Sequence, residues 1–219
     1  MRVKQTALPN QNLLQSLLRQ SAASHQRLCP KQVLGVRMGL RGGAWLGLEV
    51  PRDDKRLLVI VETDGCAADG VSVATGCTVG RRTLRVEDFG KVAATFVDVI
   101  TGEAVRIVPR AGVREAAQRL LPAAASRWHA QLEGYQLLPD AALLLAQPVA
   151  LTLSLEKLLS RPGCRTACER CGEEIINERE VIHEGRVLCR ACAGGSYYRV
   201  AHRGRQRHRE DAPALAAAR

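Results

Sequence analysis

The chain contains the segment Glu62-Thr-Asp-Gly-Cys66-Ala-Ala-Asp69-Gly-Val-Ser-Val-Ala-Thr-Gly76-Cys77-Thr-Val-Gly80, directly after an apolar run, Leu57–Val61, that is typical of a β-strand. Thr63 and Asp64 are favoured N-cap residues, and the glycine that follows them permits a tight strand-to-helix turn. The pattern therefore predicts a short helix over Cys66–Thr75, which ends at the next glycine.

Cys66 would lie in the first turn of this helix. The helix dipole and the N–H groups of that turn favour a thiolate, which is the form that attacks substrates and binds metals. Asp69 follows one turn later and could orient a metal ligand or transfer a proton. Cys66 and Asp69 are therefore the candidate catalytic residues, while a small buried cysteine in a tight turn is an equally good interpretation of Cys66.

Two helices are predicted before this segment. Apolar residues recur with a helical period over residues 11–28, and Pro30 suits the first turn of a second helix that ends at Gly42-Gly43. His25 and Cys29 are four residues apart, so they would share one face if the first helix continued to residue 29. A solvated histidine near a helix end is the alternative interpretation of His25.

A metal site in the main domain would join His25 and Cys29 to Cys66. Three protein ligands with one open position are typical of a catalytic or sensing metal site, here for a transition-metal ion. Cys77 is a poor fourth ligand, because a helix rises ~1.5 Å per residue and would place it roughly 16 Å from Cys66.

Beyond residue 80 the hydrophobic pattern becomes β-like and then helical again. Residues 112–138 have helical character with a break at Pro122, and residues 141–147 are predicted to form another helical turn. A further strand is predicted at 149–153 and a last helix at Leu155–Leu159. Antiparallel hairpins are predicted from three β-rich runs separated by glycine-containing turns, at residues 82–86, 93–100 and 104–108. The domain is therefore predicted to be α+β, with helices packed on a mainly antiparallel sheet.

Near the carboxyl end, two Cys-x-x-Cys pairs are separated by 17 residues, and they comprise Cys168, Cys171, Cys189 and Cys192. This spacing is typical of a structural Zn²⁺ site with four thiolate ligands and no open position. The segment is too short to bury much apolar surface, so the metal would supply its folding energy. The second pair precedes Ala-Gly-Gly, which suggests a small treble-clef-like finger. Cys164 is predicted not to be a ligand.

Charge and composition divide the chain into three predicted parts. Residues 1–160 form the α+β core with a net charge of +6, residues 161–195 form the neutral zinc finger, and residues 196–219 form a basic tail with a net charge of +4 that is predicted to be disordered. Arg199, Tyr197 and Tyr198 belong to that tail and could contact nucleic acid.

Cysteine usage indicates the compartment. The N-terminal residues lack an apolar signal-peptide region, and the most apolar window, residues 137–155, is interrupted by two prolines and an aspartate. We therefore expect a cytoplasmic protein without a membrane span, and its eight cysteines indicate thiolates and metal binding rather than disulfides.

The motifs quoted above resemble those of the FmdE family, which is named after formylmethanofuran dehydrogenase. The similarity covers about residues 10–160, and its motifs are Glu62-Thr-Asp-x-Cys-x-x-Asp, Thr75-Gly-Cys-Thr-x-Gly, Asp88-Phe-Gly-Lys91 and His25…Cys29-Pro. Where the family commonly has His-Gly-His-x-Cys-Pro-Gly, this chain has Arg27 and Lys31 at two of those positions. The finger is similar to the TraR/DksA type.

The resemblance implies an α+β core with a metal site, a homodimer, and an association with molybdenum or tungsten enzymes. Three functional hypotheses follow. The first is a zinc protein that acts as an accessory or metal-handling partner of a molybdopterin-type oxidoreductase, rather than as an independent enzyme. The second is a nucleic-acid-associated regulator that uses the finger and the basic tail. The third is a stand-alone metalloenzyme that uses Cys66 and Asp69.

Overall fold

A computed structural model of the chain describes residues 10–23, 25 and 27–200. The chain divides into two compact units, with the boundary between Leu159 and Ser160. The first unit is called the main domain and the second the C-terminal unit, and each is described by itself.

The main domain is built from helices and one sheet. In chain order its elements are α1 (Gln11–Ala23), α2 (Pro30–Leu46), β1 (Leu57–Val61), α3 (Cys66–Thr75), β2 (Leu84–Val86), β3 (Ala94–Asp98), β4 (Ala104–Pro109), α4 (Val113–Leu120), α5 (Arg127–Leu137), α6 (Asp140–Leu143), β5 (Leu144–Pro148) and α7 (Leu155–Leu159).

The five strands form a single sheet in the order β2-β1-β3-β4-β5. β1 pairs antiparallel with β3, β3 with β4, and β4 with β5. β2 instead pairs parallel with β1, so that Val59 lies opposite Leu84. The predicted α+β class with a mainly antiparallel sheet is therefore confirmed, while the hairpin expected for β2 is not formed. The long connection from β1 to β2 includes α3, and it returns the chain to the end of the sheet where β1 begins. β2 therefore runs in the same direction as β1.

The core lies between the sheet and the helices, and it is aliphatic. Val33 and Val36 of α2, Val59 of β1 and Val105 of β4 are each fully buried in one cluster with Phe96. The prediction of β1 at Leu57–Val61 and of α3 at Cys66–Thr75 is confirmed in both bounds. Gly76 ends α3 with a positive φ of 73°, and its N–H donates to the carbonyl of Ser72.

The two N-terminal helices differ from their predicted bounds. α1 ends at Ala23 rather than near residue 28, so His25 and Cys29 do not share a helical face. α2 continues through Gly42-Gly43 and ends only at Gly47. Both glycines are buried within the helix. A side chain at Gly42 would not fit, because its Cβ would lie 2.4 Å from the ring of Phe96. They allow close packing on the sheet instead of stopping the helix.

The last strand of the main domain also differs from the prediction. The helical turn predicted over 141–147 is confined to α6, and the next five residues form β5. The strand predicted at 149–153 is not formed, because the pairing with β4 ends at Pro148. Leu144 is the first residue of β5 and lies opposite Pro109. The run Leu143-Leu144-Leu145 is apolar without a clear period, so its pairing partner rather than its pattern determines its structure.

The C-terminal unit contains two short hairpins. The first pairs β6 (Arg165–Ala167) with β7 (Glu174–Ile176), and the second pairs β8 (Val181–His183) with β9 (Arg186–Leu188). A short helical segment over Ala191–Gly195 follows. Its small core consists of Cys168, Ile175 and Leu188, with other cysteines packed around them. The predicted basic tail lies mainly at residues 201–219, outside the described residues.

Over the described ranges, none of the helices has both the length and the apolarity that crossing a membrane requires.

Candidate metal centre

The candidate site of the main domain lies where α2 and α3 begin. The two helices pack at glycines: a Cβ at Gly35 would lie 2.2 Å from the carbonyl oxygen of Ala67, and a Cβ at Gly70 would lie 2.4 Å from that of Gln32. One turn further on, Gly39 faces Ala74. Because contacts advance along both helices in the same direction, the helices are parallel and their N-termini lie at the same end.

Cys29 is the N-cap residue of α2, and a buried glutamine holds it. The Cys29 N–H donates to Oε1 of Gln32 over 2.8 Å. Gln32 is completely buried, and its Nε2 donates to the carbonyl oxygen of Ser21 over 2.8 Å and to the Ser21 hydroxyl over 3.1 Å. Gln32 therefore joins the end of α1 to the start of α2 and fixes the position of Cys29.

Cys66 begins α3, and its thiol lies close enough to that of Cys29 for the two to influence each other's protonation. Burial raises the pKa of the Cys66 thiol, and the neighbouring Cys29 and the carboxylate of Asp69 raise it further. The sequence predicted the opposite direction, because the helix N-terminus favours a thiolate. The backbone N–H of Cys66 does act in that direction, but burial and the second thiol outweigh it.

His25 and Asp69 form the second contact at this site. Nε2 of His25 lies 2.6 Å from Oδ2 of Asp69, and both side chains are partly exposed. In a neutral imidazole whose Nε2 donates to this carboxylate, Nδ1 would be the electron-pair donor. Asp69 is thus placed to orient the imidazole, in the way that carboxylates orient metal-binding histidines.

The predicted core ligands are therefore brought together as two neighbouring pairs, Cys29 with Cys66 and His25 with Asp69. They do not form one converged ligand set, because none of these residues belongs to a group of three or more whose donor atoms lie within 4.8 Å of one another. Metal binding by His25, Cys29 and Cys66 stays a prediction. Cys77 lies at the other end of α3, where its buried thiol donates to the carbonyl oxygen of Leu57 over 3.3 Å.

Sequence reasoning missed Gln32 and the glycine pair that positions the thiols. The spacing Cys29-x-x-Gln32 has the form of a capping box, in which the residue three positions after the N-cap returns to the N-cap N–H. That signal was readable from the sequence. The contact between Gly35 and Gly70 joins residues that are distant in the chain, so local sequence patterns do not indicate it.

The C-terminal unit brings four thiols together. Cys168, Cys171, Cys189 and Cys192 have sulfur atoms that all lie within 4.8 Å of one another, and among the described residues they form the one such group of metal-binding side chains. The sulfurs of Cys171 and Cys189 are 4.0 Å apart. Four thiolates around a tetrahedral Zn²⁺ would be separated by about 3.8 Å, from Zn–S bonds of ~2.3 Å. The donor set fits a structural metal ion such as zinc.

The backbone of this unit supports thiolates. The N–H of Cys189 donates to the sulfur of Cys168 over 3.3 Å and lowers the pKa of Cys168 to about 6. A side-chain hydrogen bond with Cys189, burial and the other nearby sulfurs raise the pKa of Cys192 to about 12, because each of them favours the neutral thiol. The cluster as it stands therefore retains protons that a bound dication would displace.

Three ion pairs join charged side chains of the C-terminal unit. Arg161 contacts Glu178, Arg165 contacts Glu174 over 3.1 Å, and Arg186 contacts Glu169 over 3.5 Å. Six arginines and six glutamates lie within residues 161–195, which makes the segment neutral. Such a surface does not concentrate the positive charge that phosphate backbones require.

The chain combines an α+β domain, which has a cysteine pair at two helix N-termini, with a four-cysteine unit. This combination defines a class of two-unit proteins suited to metal binding. The sequence matches the family described as "FmdE, Molybdenum formylmethanofuran dehydrogenase operon" over residues 24–143. This chain belongs to the FmdE family.

Two relatives extend this comparison. The chain is 32% identical over 226 aligned positions to a "Probable S-adenosyl-L-methionine-binding protein" of Archaeoglobus fulgidus, with 89% of this chain covered. The match spans only 57% of that relative's length. A tungsten formylmethanofuran dehydrogenase FmdE-like protein of Syntrophus aciditrophicus shares the fold, with a TM-score of 0.55 and 23% identity, and the match covers 84% of this chain and 94% of the other.

Proposed function

We propose that this FmdE-family protein binds zinc in its C-terminal unit and a second transition-metal ion in its main domain, and that it serves as an accessory or metal-handling partner of a molybdopterin-type oxidoreductase. One observation carries this proposal: Cys29 and Cys66 meet at the start of two parallel helices, beside a histidine whose orientation is set by Asp69.

The chemistry of these residues favours metal binding over nucleophilic catalysis. A catalytic cysteine requires a depressed pKa, whereas burial and the neighbouring thiol raise the pKa of Cys66. A divalent ion removes this penalty, because it binds both sulfurs as thiolates and neutralises their charge. His25 could add its Nδ1 as a third ligand, and the remaining coordination position would accept a ligand from solvent or from a partner protein.

Metal content tests both sites together. Wild-type protein should contain two equivalents of metal by elemental analysis. Cys66→Ala and Cys168→Ala should each contain one equivalent, because each removes a ligand from a different site. Cys77→Ala and Cys164→Ala are matched controls and should retain two. If Cys66→Ala kept the full content while Cys168→Ala lost one equivalent, the main-domain site would be refuted and the C-terminal site would stand.

The partner role is supported by family membership and needs its own test. Tagged protein purified from its native cells should carry a molybdenum- or tungsten-containing protein in near-stoichiometric amount, detected by elemental analysis and by the fluorescence of oxidised pterin. Captured proteins that contain neither metal nor pterin would contradict the partner role. This result is independent of the metal content of the protein itself.

The other hypotheses have less support in the described residues. Nucleic-acid binding would depend on the tail, since residues 161–195 carry no net charge and three of their arginines contact glutamates. Salt-dependent binding of a DNA duplex that is lost on deletion of residues 196–219 would favour that hypothesis. The treble-clef topology, the homodimer and the cytoplasmic location remain part of the proposal. A structure of the metal-loaded protein and its mass in solution would test the first two.

A further inference from the structure

A cleft of about 540 Å³ lies in the main domain, beside the site just described. Pro30 and Lys31 of α2 line it, and they directly follow Cys29 in the chain. Arg110, Arg114 and Glu115 also line it. Three cationic side chains and one carboxylate give the cleft a positive balance.

Two helices begin at this cleft. α2 starts with Pro30, and α4 starts after Gly112, whose positive φ of 75° turns the chain into the helix. Residues 112–115, the whole first turn of α4, line the cleft. The first N–H groups of a helix have no acceptor within it, and they carry the positive end of the helix dipole. Pro30 itself supplies no N–H, but the positive ends of two helix dipoles together with three cationic side chains favour the binding of an anion.

A buried tyrosine lies near one of the arginines. Tyr135 lines the cleft although only 2% of its surface is exposed, and its phenol is close enough to Arg114 to respond to that charge. The carbonyl oxygen of Tyr135 accepts a hydrogen bond of 2.7 Å from Arg37, which is itself completely buried in α2. The cationic wall is therefore attached to the same helix that positions Cys29.

The size and the remaining walls define the ligand further. A cleft of this volume is in the range for small-molecule sites, and it is several times larger than a phosphate ion. Leu34, Val92 and Pro109 give it aliphatic walls. Arginine and helix N-termini match the oxygen geometry of a phosphate group better than that of a single carboxylate, because a phosphate offers three acceptor oxygens.

We propose that this cleft binds a small phosphate monoester, with the phosphate between Lys31, Arg110 and Arg114 and its organic part against the aliphatic walls. The ligand would lie next to the Cys29–Cys66 pair. This site goes beyond the metal function proposed above and requires no metal ion at the thiol pair.

The test is an NMR titration of the ¹⁵N-labelled full chain at low salt with phenyl phosphate, inorganic phosphate and benzoate. Phenyl phosphate should shift the amide signals of Lys31 and of residues 112–115, and it should bind at least about tenfold more tightly than either of the others. Arg114→Gln should weaken binding by about tenfold or more. Arg119→Gln removes the same charge from the last turn of α4, outside the cleft, and should change the affinity less than about twofold.

Arg114→Gln also changes the surroundings of the buried Tyr135, so its fold must be checked by urea denaturation. Arg110→Gln is a second variant, placed just after β4, and it should weaken binding without loss of stability. Equal binding of benzoate, or equal losses in the Arg114 and Arg119 variants, would overturn the phosphate site. Inorganic phosphate binding as tightly as phenyl phosphate would overturn the assignment to an organic ester.

Discussion

Gly35 provides a direct test of the helix packing that brings Cys29 and Cys66 together. In Gly35→Ala the new Cβ would lie 2.2 Å from the carbonyl oxygen of Ala67, whereas ordinary contact begins at 3.4 Å, so α2 and α3 would have to separate by about 1.2 Å. The nearest atoms belong to the backbone, which cannot rotate away. Overpacking of this kind costs about 1–3 kcal/mol, and the better helix propensity of alanine offsets roughly 0.5–1 kcal/mol of that cost. We expect a net loss of about 1–2 kcal/mol in the free energy of unfolding.

Urea denaturation followed by tryptophan fluorescence measures this loss. Trp45 and Trp128 are the two tryptophans of the sequence, and both lie in the main domain, so the signal is independent of the C-terminal unit. Gly80→Ala is the control, because a Cβ at Gly80 meets no atom within 4 Å, and its stability should stay within about 0.5 kcal/mol of wild type. A Gly35→Ala protein with the same urea midpoint and slope as wild type would refute the close helix contact.

Three further predictions concern charge and metal. The hydrogen bonds from Arg56 lower the pKa of Asp98 to about 2. This pair should therefore stabilise the fold by roughly 1–2 kcal/mol above about pH 4, and that stability should be lost as the pH falls toward 2. Asp98→Asn should flatten the acid side of a plot of urea midpoint against pH, and an unchanged plot would contradict the pairing. Arg37→Met leaves Asp140 without its buried partner and should lower the free energy of unfolding, measured by urea denaturation, by about 3 kcal/mol or more. Adding Asp140→Asn should recover part of this loss. A single variant as stable as wild type would count against the buried pair. A strong chelator, or Cys189→Ala, should remove the hydrogen-exchange protection of residues 165–192, because the metal ion supplies the folding energy of this unit. Tryptophan fluorescence should stay constant. Retained protection would show that this unit folds without metal.

The sequence predicted those elements whose signals are local. β1 and α3 are bounded by a short apolar run, a turn glycine and a stop glycine, and the structure has the predicted bounds. The four cysteines of the C-terminal unit were identified from their spacing alone, because two Cys-x-x-Cys pairs need little else to converge. The α+β class followed from the order of the elements.

The errors arose where tertiary contacts override local preference. Glycines usually end helices, but Gly42 lies inside α2 because the ring of Phe96 occupies the space of a side chain. The spacing of His25 and Cys29 suggested one helical face, yet α1 ends before both, and the imidazole reaches Asp69 from a connecting segment. The pKa of Cys66 was expected to fall, and it rises because a second thiol and burial act against the helix terminus. None of these three contacts is local in the sequence.

Arg37 has a consequence for how a ligand would be received. Its guanidinium donates to the carbonyl oxygens of Tyr135 and Leu138 and to Asp140 with distances of 2.7, 2.8 and 2.7 Å, so the end of α5 is held firmly against the middle of α2. One wall of the cleft and the helix that presents Cys29 therefore behave as a preformed frame. Binding of a ligand to the cleft should then be a single fast step, limited by diffusion and desolvation, without a slow conformational change after it.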